Sequence, residues 1–264
     1  ALSRAIEGSS IVRGLDTVLP EPPSVLAQVR TFVDRFGFPQ VFTGLPPDPG
    51  GPVSAPTDDE AARAYAAAAD STVEVLGEAC GQIQEGSGFV VEDSLIVTNA
   101  HVVAGVAAPS IRTGAGGTSA ATVLVFDPHL DVAVLRVEAP PGPRLPFAEQ
   151  GVTRGDAGVV AGYPGGGTLT GAKAAVLRTF PAVGRDIYGK GEIERDVIEL
   201  QAAVRPGNSG GPFVLANGEV GGLVFAASVS DPKIGYAIAI DDVEPSIQRA
   251  RAADAAVATG RCVP

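Results

Sequence analysis

The sequence predicts an all-β protein: two six-stranded antiparallel β-barrels side by side, with an N-terminal helical arm and a C-terminal helix. Three observations carry this. The 264 residues include 34 Gly and 22 Pro but only 5% aromatics, a composition that favours short strands joined by turns. Two sets of about six β-like segments lie on either side of Pro140-Pro-Gly-Pro143. Turn signals such as Pro164-Gly-Gly-Gly167 and Asn217-Gly218 punctuate the second set.

Residues 1–56 differ from the remainder and form an arm and linker. Ala5 to Leu15 suits a short helix or an extended arm. Pro22 and Pro23 open a helix to about Phe36, with Val25, Leu26, Val29, Phe32 and Val33 on one face, and Pro39 ends it. Leu45 to Pro56, rich in Pro and Gly, is an extended linker. Thr57-Asp-Asp-Glu60 is a capping-box pattern starting a helix to about Ala69. The first barrel then uses Thr72–Gly77, Gly81–Gln84, Gly86–Glu92, Leu95–Asn99, Ser110–Arg112, Ala121–Asp127 and Val132–Val137, so that residues 57–143 form one domain. Residues 144–264 form the second, with strands at Asp156–Tyr163, Leu169–Pro181, Asp196–Gln201, Pro212–Leu215, Val220–Ser228 and Tyr236–Ile240. Asp242 to about Ala258 is the closing helix.

A net charge of −11 argues against nucleic acid as a partner and against a basic membrane patch. No apolar run reaches the ~20 residues of a membrane span. The sequence starts at Ala1 and contains no Met, so any targeting element is expected upstream. The two cysteines, Cys80 and Cys262, lack metal-ligand spacing. They are either two unrelated buried thiols or one disulfide tying the tail to the front of the domain. The disulfide is preferred, and it implies an oxidising compartment outside the cytoplasm.

The chemistry centres on Arg205-Pro-Gly-Asn-Ser-Gly-Gly-Pro212. Three glycines around Ser209 suit a backbone that turns sharply beside a ligand. They lift the hydroxyl to a loop end and free the amides of Gly207 and Ser209 to point into one space, as acyl transfer needs. Alone, the pattern also suits a Gly-rich hairpin with a surface serine. The deciding question is whether the chain supplies a base and an acid. Of the two histidines, His101 follows the apolar Leu95-Ile-Val97 at a strand end and can take the serine proton, whereas His129 lies in a turn and is solvated. Asp131 stands at the buried start of Val132-Ala-Val-Leu135, where a carboxylate needs a partner, and the His101 ring N–H is one. Asp127 is the rival, but Asp-Pro opens a turn that its side chain caps.

Thr98-Asn-Ala-His-Val-Val103, Asp131-Val-Ala-Val-Leu135 and Gly207-Asn-Ser-Gly-Gly-Pro212 resemble, in that order, the three signature segments of chymotrypsin-fold serine proteases. Gly86-Ser-Gly-Phe-Val-Val91 resembles an early strand of the bacterial HtrA-like branch, and the likeness covers roughly residues 70–242. It implies a serine endopeptidase with His101, Asp131 and Ser209 as catalytic triad, the Gly207 and Ser209 amides as oxyanion hole, protein or peptide substrates, and no metal or organic cofactor. Over its whole length, both cysteines included, the chain resembles a membrane-anchored periplasmic member of that group linked to acid resistance. This implies a periplasmic or other extracytoplasmic location, a membrane domain preceding Ala1 and, in our reading, a monomer.

Two departures limit the likeness. Asn208 stands where trypsin-like zymogens carry aspartate, so a cleaved α-amino group is not expected to order the loop. After Ile240 only a helix and a tail fit, so PDZ-type regulation is not carried over. The family pattern places the specificity pocket at Ala203, Ala226, Ala227, Ser228, Gly235 and Tyr236, with no acid at its base, which predicts cleavage after apolar or medium-sized residues rather than Arg or Lys. A catalytically latent peptide-binding scaffold is the non-enzymatic alternative. An α/β-hydrolase esterase is disfavoured because the histidine precedes the serine.

Overall fold

The computed structural model describes residues 51–228 and 230–263. The helices expected before Phe36 lie outside the described residues. The end of the linker is anchored. Val53 exchanges two bonds with the Gln201 side chain, at 3.2 and 3.0 Å, and the Gly51 carbonyl accepts from Arg154 at 2.8 Å.

Helix α1, Asp58–Ala69, opens with the capping box that its sequence announces. The Thr57 hydroxyl accepts from the Glu60 amide, and the Glu60 carboxylate accepts from the Thr57 amide at 2.8 Å. Asp58, Asp59 and Glu60 place negative charge against the positive end of the helix dipole. Ala64 and Ala68 are buried, and such small side chains let the helix lie close against the β-structure.

The first sheet contains β1 (Thr72–Ala79), β2 (Gln82–Glu92), β3 (Leu95–Thr98), β4 (Ser110–Arg112), β5 (Thr118–Ala120), β6 (Thr122–Asp127) and β7 (Val132–Arg136), in the order β5-β4-β1-β2-β3-β7-β6. It has seven strands where six were expected. The reason is local: β5 and β6 are one run of chain broken at Ala121. The first half pairs with β4 and the second with β7, so this bent segment spans the two sides of the sheet. The two segments expected at 81–84 and 86–92 are a single long strand. Cys80 and Gly81, both with positive φ (55° and 75°), form the two-residue hairpin turn that β1 and β2 share.

The second sheet closes into a six-stranded barrel, β10-β13-β12-β11-β8-β9. Its strands are β8 (Ala157–Gly162), β9 (Thr170–Gly184), β10 (Ile193–Ala202), β11 (Pro212–Leu215), β12 (Val220–Ala227) and β13 (Ile234–Ala239). The β9–β10 ladder continues well beyond the predicted stop at Pro181, which pairs with Asp196 as an exposed residue. Burial then alternates through Ala182 to Gly184, the period of a strand with one covered face. This extension reaches the first barrel: Ile187 packs with Ala100 and Ala104, and its amide donates to the Pro128 carbonyl at 3.1 Å.

The buried cores are built from β-branched and aliphatic residues on alternating positions, with Phe89, Phe213 and Phe225 fully enclosed. Enclosing one such side chain contributes about 1.5–3 kcal/mol. Segment 145–148 runs between the two sheets, with the Leu145 amide on the Val90 carbonyl and the Ala148 amide on the Val220 carbonyl, each at 3.0 Å.

Helix α2 is the short Ala100–Val103, and α3 is Ile240–Arg251. The closing helix therefore starts and ends earlier than the expected 242–258. Its Ala-rich continuation has helical propensity but is drawn elsewhere. The Val257 amide donates to the Val123 carbonyl at 2.9 Å, the Thr259 hydroxyl donates to the Val106 carbonyl at 2.8 Å, and Cys262 is joined to Cys80. Tertiary bonds thus override local preference.

Candidate active site

The ends of regular elements in the first barrel carry two of the candidate residues. β3 ends at Thr98, Asn99 precedes α2, and His101 is the second residue of that helix. Asp131 directly precedes β7 and adopts φ +61°, a left-handed conformation that Asp tolerates better than most residues. That turn aims its carboxylate at His101. Oδ1 accepts from the His101 main-chain amide at 2.9 Å, and Oδ2 lies 2.7 Å from Nδ1. The Asn99 side-chain amide holds the Asp131 carbonyl at 2.8 Å. Asp131 is 1% exposed, so the imidazole is its compensating partner in the interior, while the ring itself is partly open at 16%. An Nδ1–H donated to Asp131 leaves Nε2 as the acceptor that a general base needs.

Asp127 has a different task. Its Oδ1 accepts from the amides of His129 and Leu130, both at 3.1 Å, and Oδ2 pairs with Arg249 of α3 at 2.8 Å. Burial pushes this carboxyl up, but the Arg249 and amide hydrogen bonds outweigh it and hold the group below the usual aspartate range. His129 is exposed.

Ser209 comes from the second barrel, on the loop between β10 and β11. The loop is tied on every side. Asn208 closes it on itself: its amide donates to the Arg205 carbonyl, and its side-chain oxygen accepts from the Arg205 amide, both at 2.9 Å. The amides of Gly210 and Gly211 donate to Val224 (2.8 Å) and Asn208 (3.0 Å). The Pro206 carbonyl accepts from the Gly165 amide at 3.0 Å, across from the Pro164–Gly166 turn. Among the described residues, the Gly207 and Ser209 amides have no acceptor. Gly207 takes φ +93°, and a Cβ there would overlap the Tyr163 carbonyl oxygen, so only glycine fits.

The two halves meet at Gly86 and Ser87 of β2. A Cβ on Gly86 would lie 2.6 Å from Val102, next to His101, and 3.1 Å from the Ser209 carbonyl oxygen. The Ser87 amide donates to that carbonyl at 2.7 Å. Gly86 and Ser87 thus connect the segment that carries His101, with its Asp131 partner, to the Ser209 loop and its two unspent amides. This is the equipment of acyl transfer: attack by the hydroxyl oxygen, proton removal by imidazole and amides for the developing oxyanion.

The pocket candidates flank the loop. Ala226 and Tyr236 are paired neighbours on β12 and β13, Ala227 faces Gly235, and Ser228 follows β12. Ala203 is exposed, just after β10, whereas Ala226 and Tyr236 are buried in the interior cluster with Phe180 and Phe225. Burial and the nearby Glu199 carboxylate raise the Tyr236 hydroxyl above its ordinary range. That carboxylate pairs with Arg178 at 2.5 Å. Sequence reasoning missed the groups that hold the loop, namely Ser87, Gly165 and the Asn208 side chain. The Gly86-Ser-Gly88 and Pro164–Gly167 motifs were visible, but nothing local says that they meet residue 207.

Comparison with known proteins agrees with this geometry. Residues 86–223 match the model of the trypsin-like peptidase domain. The chain is 34% identical over 268 residues to serine protease Rv3671c of Mycobacterium tuberculosis, covering 99% of this chain and 67% of that protein. Against the crystal structure of the active form of the Rv3671c protease the TM-score is 0.78, at 36% identity, over 84% of this chain and 98% of that one. Against the inactive form it is 0.67, over 75% and 98%. A probable periplasmic DegP-like serine endoprotease of Chlamydia trachomatis is 34% identical over 179 residues, 67% of this chain and 34% of that protein. With its chymotrypsin-like fold and its match to the peptidase model, the chain belongs to the trypsin-like serine peptidases, on their HtrA-like branch, and is a serine endopeptidase.

Proposed function

We infer that Ser209 is the nucleophile, His101 the general base and then general acid, and Asp131 the group that fixes the imidazole tautomer and steadies the imidazolium. The observation that carries this is the seam itself: Gly86 of β2 comes close both to Val102, next to the Asp131-paired His101, and to the Ser209 carbonyl, on the loop whose Gly207 and Ser209 amides have no acceptor among the described residues. In the reaction the Ser209 oxygen attacks the scissile carbonyl while its proton passes to His101 Nε2. The carbonyl oxygen takes the negative charge between the two amides. His101 then protonates the leaving amine, and water repeats the sequence on the acyl-enzyme.

The substrates are proteins or peptides, and residues 203, 226–228, 235 and 236 shape the cleavage preference. The carboxylate beside Tyr236, Glu199, is engaged by Arg178, which supports an apolar or medium-sized residue at the cleaved position. A library cleaved best after Arg or Lys would overturn that part. Residues 57–143 and 144–264 act as the two catalytic halves, and residues 1–56 lead into them. The setting is extracytoplasmic, in the bacterial envelope, with attachment to the inner membrane through a region N-terminal to this chain and a role in acid-stress resistance. The Cys80–Cys262 bond and the relatives' names support an oxidising compartment. Among the described residues no helix is long and apolar enough to cross a membrane.

A fluorophosphonate probe tests the chemistry. It is expected to label the wild type at Ser209 and to leave Ser209→Ala unlabelled. A folded wild type that resists labelling at every pH would instead favour a latent peptide-binding scaffold.

A further inference from the structure

Ser87 is fully buried, yet all of its polar groups are in use. Its amide donates to the Ser209 carbonyl at 2.7 Å. Its hydroxyl donates to the Gly207 carbonyl at 2.7 Å and accepts from the Tyr163 amide at 2.9 Å. Its carbonyl accepts from the Thr98 hydroxyl at 2.7 Å. The residue therefore grips the nucleophile loop on both sides of Asn208, at the two residues whose amides are unspent.

The surroundings are shaped to admit it. A Cβ on Gly162 would lie 2.8 Å from the Ser87 hydroxyl, and a Cβ on Gly210 would overlap the Ser87 carbonyl oxygen. A larger residue at either place would push Ser87 off the loop. Ser87 also belongs to β2 of the first barrel, whereas Gly207 and Ser209 belong to the second, so its bonds are the place where one barrel sets the loop geometry of the other. The Gly207 carbonyl is one end of the Gly207–Asn208 peptide. With Pro206 held by Gly165 on the other side, Gly207 is fixed at both of its peptides and its own amide cannot swing away.

We propose that Ser87 is a positioning residue for the oxyanion hole: its hydroxyl, bonded to the Gly207 carbonyl, keeps the Gly207 and Ser209 amides in place before substrate arrives. This rests on the reading of Ser209 as nucleophile and of those amides as oxyanion donors. An amide that is merely loosened stabilises the transition state less, and the loss appears in turnover rather than in substrate affinity.

Ser87→Ala removes the hydroxyl and keeps the amide bond. Active-site titration with an acylating ester counts competent sites, and kcat is then measured per titrated site on a peptide substrate. The expected result is a kcat per site lowered about 10- to 100-fold, short of the ~10²–10³ for deleting a donor, with KM changed less than about threefold. Affinity for a peptide boronic acid, which mimics the tetrahedral adduct, is expected to fall by a similar factor. A merely structural role would lower the number of titratable sites and leave kcat per site within about twofold of wild type, which would overturn the proposal. If Ser87→Ala does not accumulate as folded protein, Ser87→Cys keeps the shape with a weaker donor and acceptor, and the same readouts apply with a smaller factor. Failure of the wild type itself to titrate would overturn the assignment of Ser209 instead.

Discussion

The two barrels contribute to the proposed site in opposite ways. In the first, His101 and Asp131 stand at the ends of regular elements, and their geometry is made by direct side-chain bonds of 2.7 and 2.9 Å. In the second, Ser209 stands on an irregular loop, and its geometry is made by backbone bonds, two glycines with positive φ and a hydroxyl borrowed from the other barrel. The first half is a pair of residues. The second is a shape. A site of the first kind is sensitive to changes of functional group, and one of the second kind to changes of volume and backbone freedom.

The largest expected effect tests the pair. Asp131→Asn keeps the size but presents an amide to Nδ1, which favours the wrong tautomer, and kcat is expected to fall by about 10⁴-fold. A steady-state assay showing less than a tenfold loss would mean that the 2.7 Å contact does not serve catalysis. The shape is tested next by Gly207→Ala. The added methyl meets the Tyr163 carbonyl at a backbone φ that alanine avoids, so the loop must shift and the amides with it. We expect kcat to drop by about 10²–10³ while the Asp127–Arg249 end of the molecule stays intact by NMR. Unchanged turnover would show that the loop tolerates more than its contacts suggest.

Stability distinguishes the halves further. The Cys80–Cys262 bond spans 182 residues of chain, both barrels included. In the chain-entropy model its reduction lowers stability by about 5 kcal/mol, to be read as a drop in the urea midpoint with reductant present. An unmoved midpoint would show that packing alone holds the tail. The smallest effect concerns Glu74, a buried carboxylate on β1 paired with Arg112. Burial raises it above the usual glutamate range in spite of the arginine. A carboxyl raised in the folded state binds its proton more tightly there than in the unfolded chain. Its stabilising effect is therefore complete below the ordinary range and is lost as pH rises through the raised value. Glu74→Gln is expected to match wild type in acid and to be relatively more stable near neutrality, by paired unfolding curves across pH. The opposite trend would mean that the Arg112 pair outweighs burial.

Much of this was legible in the chain. Thr57 and Glu60 announced α1 to the residue because a capping box is satisfied within one turn. Strand positions followed from runs of Val, Ile and Leu, and His101, Asp131 and Ser209 stood in motifs short enough to carry their own local structure. Asp127 was separable from Asp131 because an Asp-Pro turn consumes its own carboxylate. Less legible were the long β9–β10 hairpin, whose far end is buried in a cluster with Ala100, Ala104 and Phe126, and the stop of α3 at Arg251.

The sequence alone therefore determined the fold class, most of the elements and the candidates for the reacting groups, since these depend on neighbours a few residues away. Only the tertiary structure decided how the reacting groups are held. The left-handed turn at Asp131, the bend at Ala121 that spans the first sheet and the grip of Ser87 on Gly207 join residues up to 120 positions apart. No local preference encodes such contacts, because they come into being only when the first sheet has formed or, for Ser87 and Gly207, when the two barrels have packed against each other.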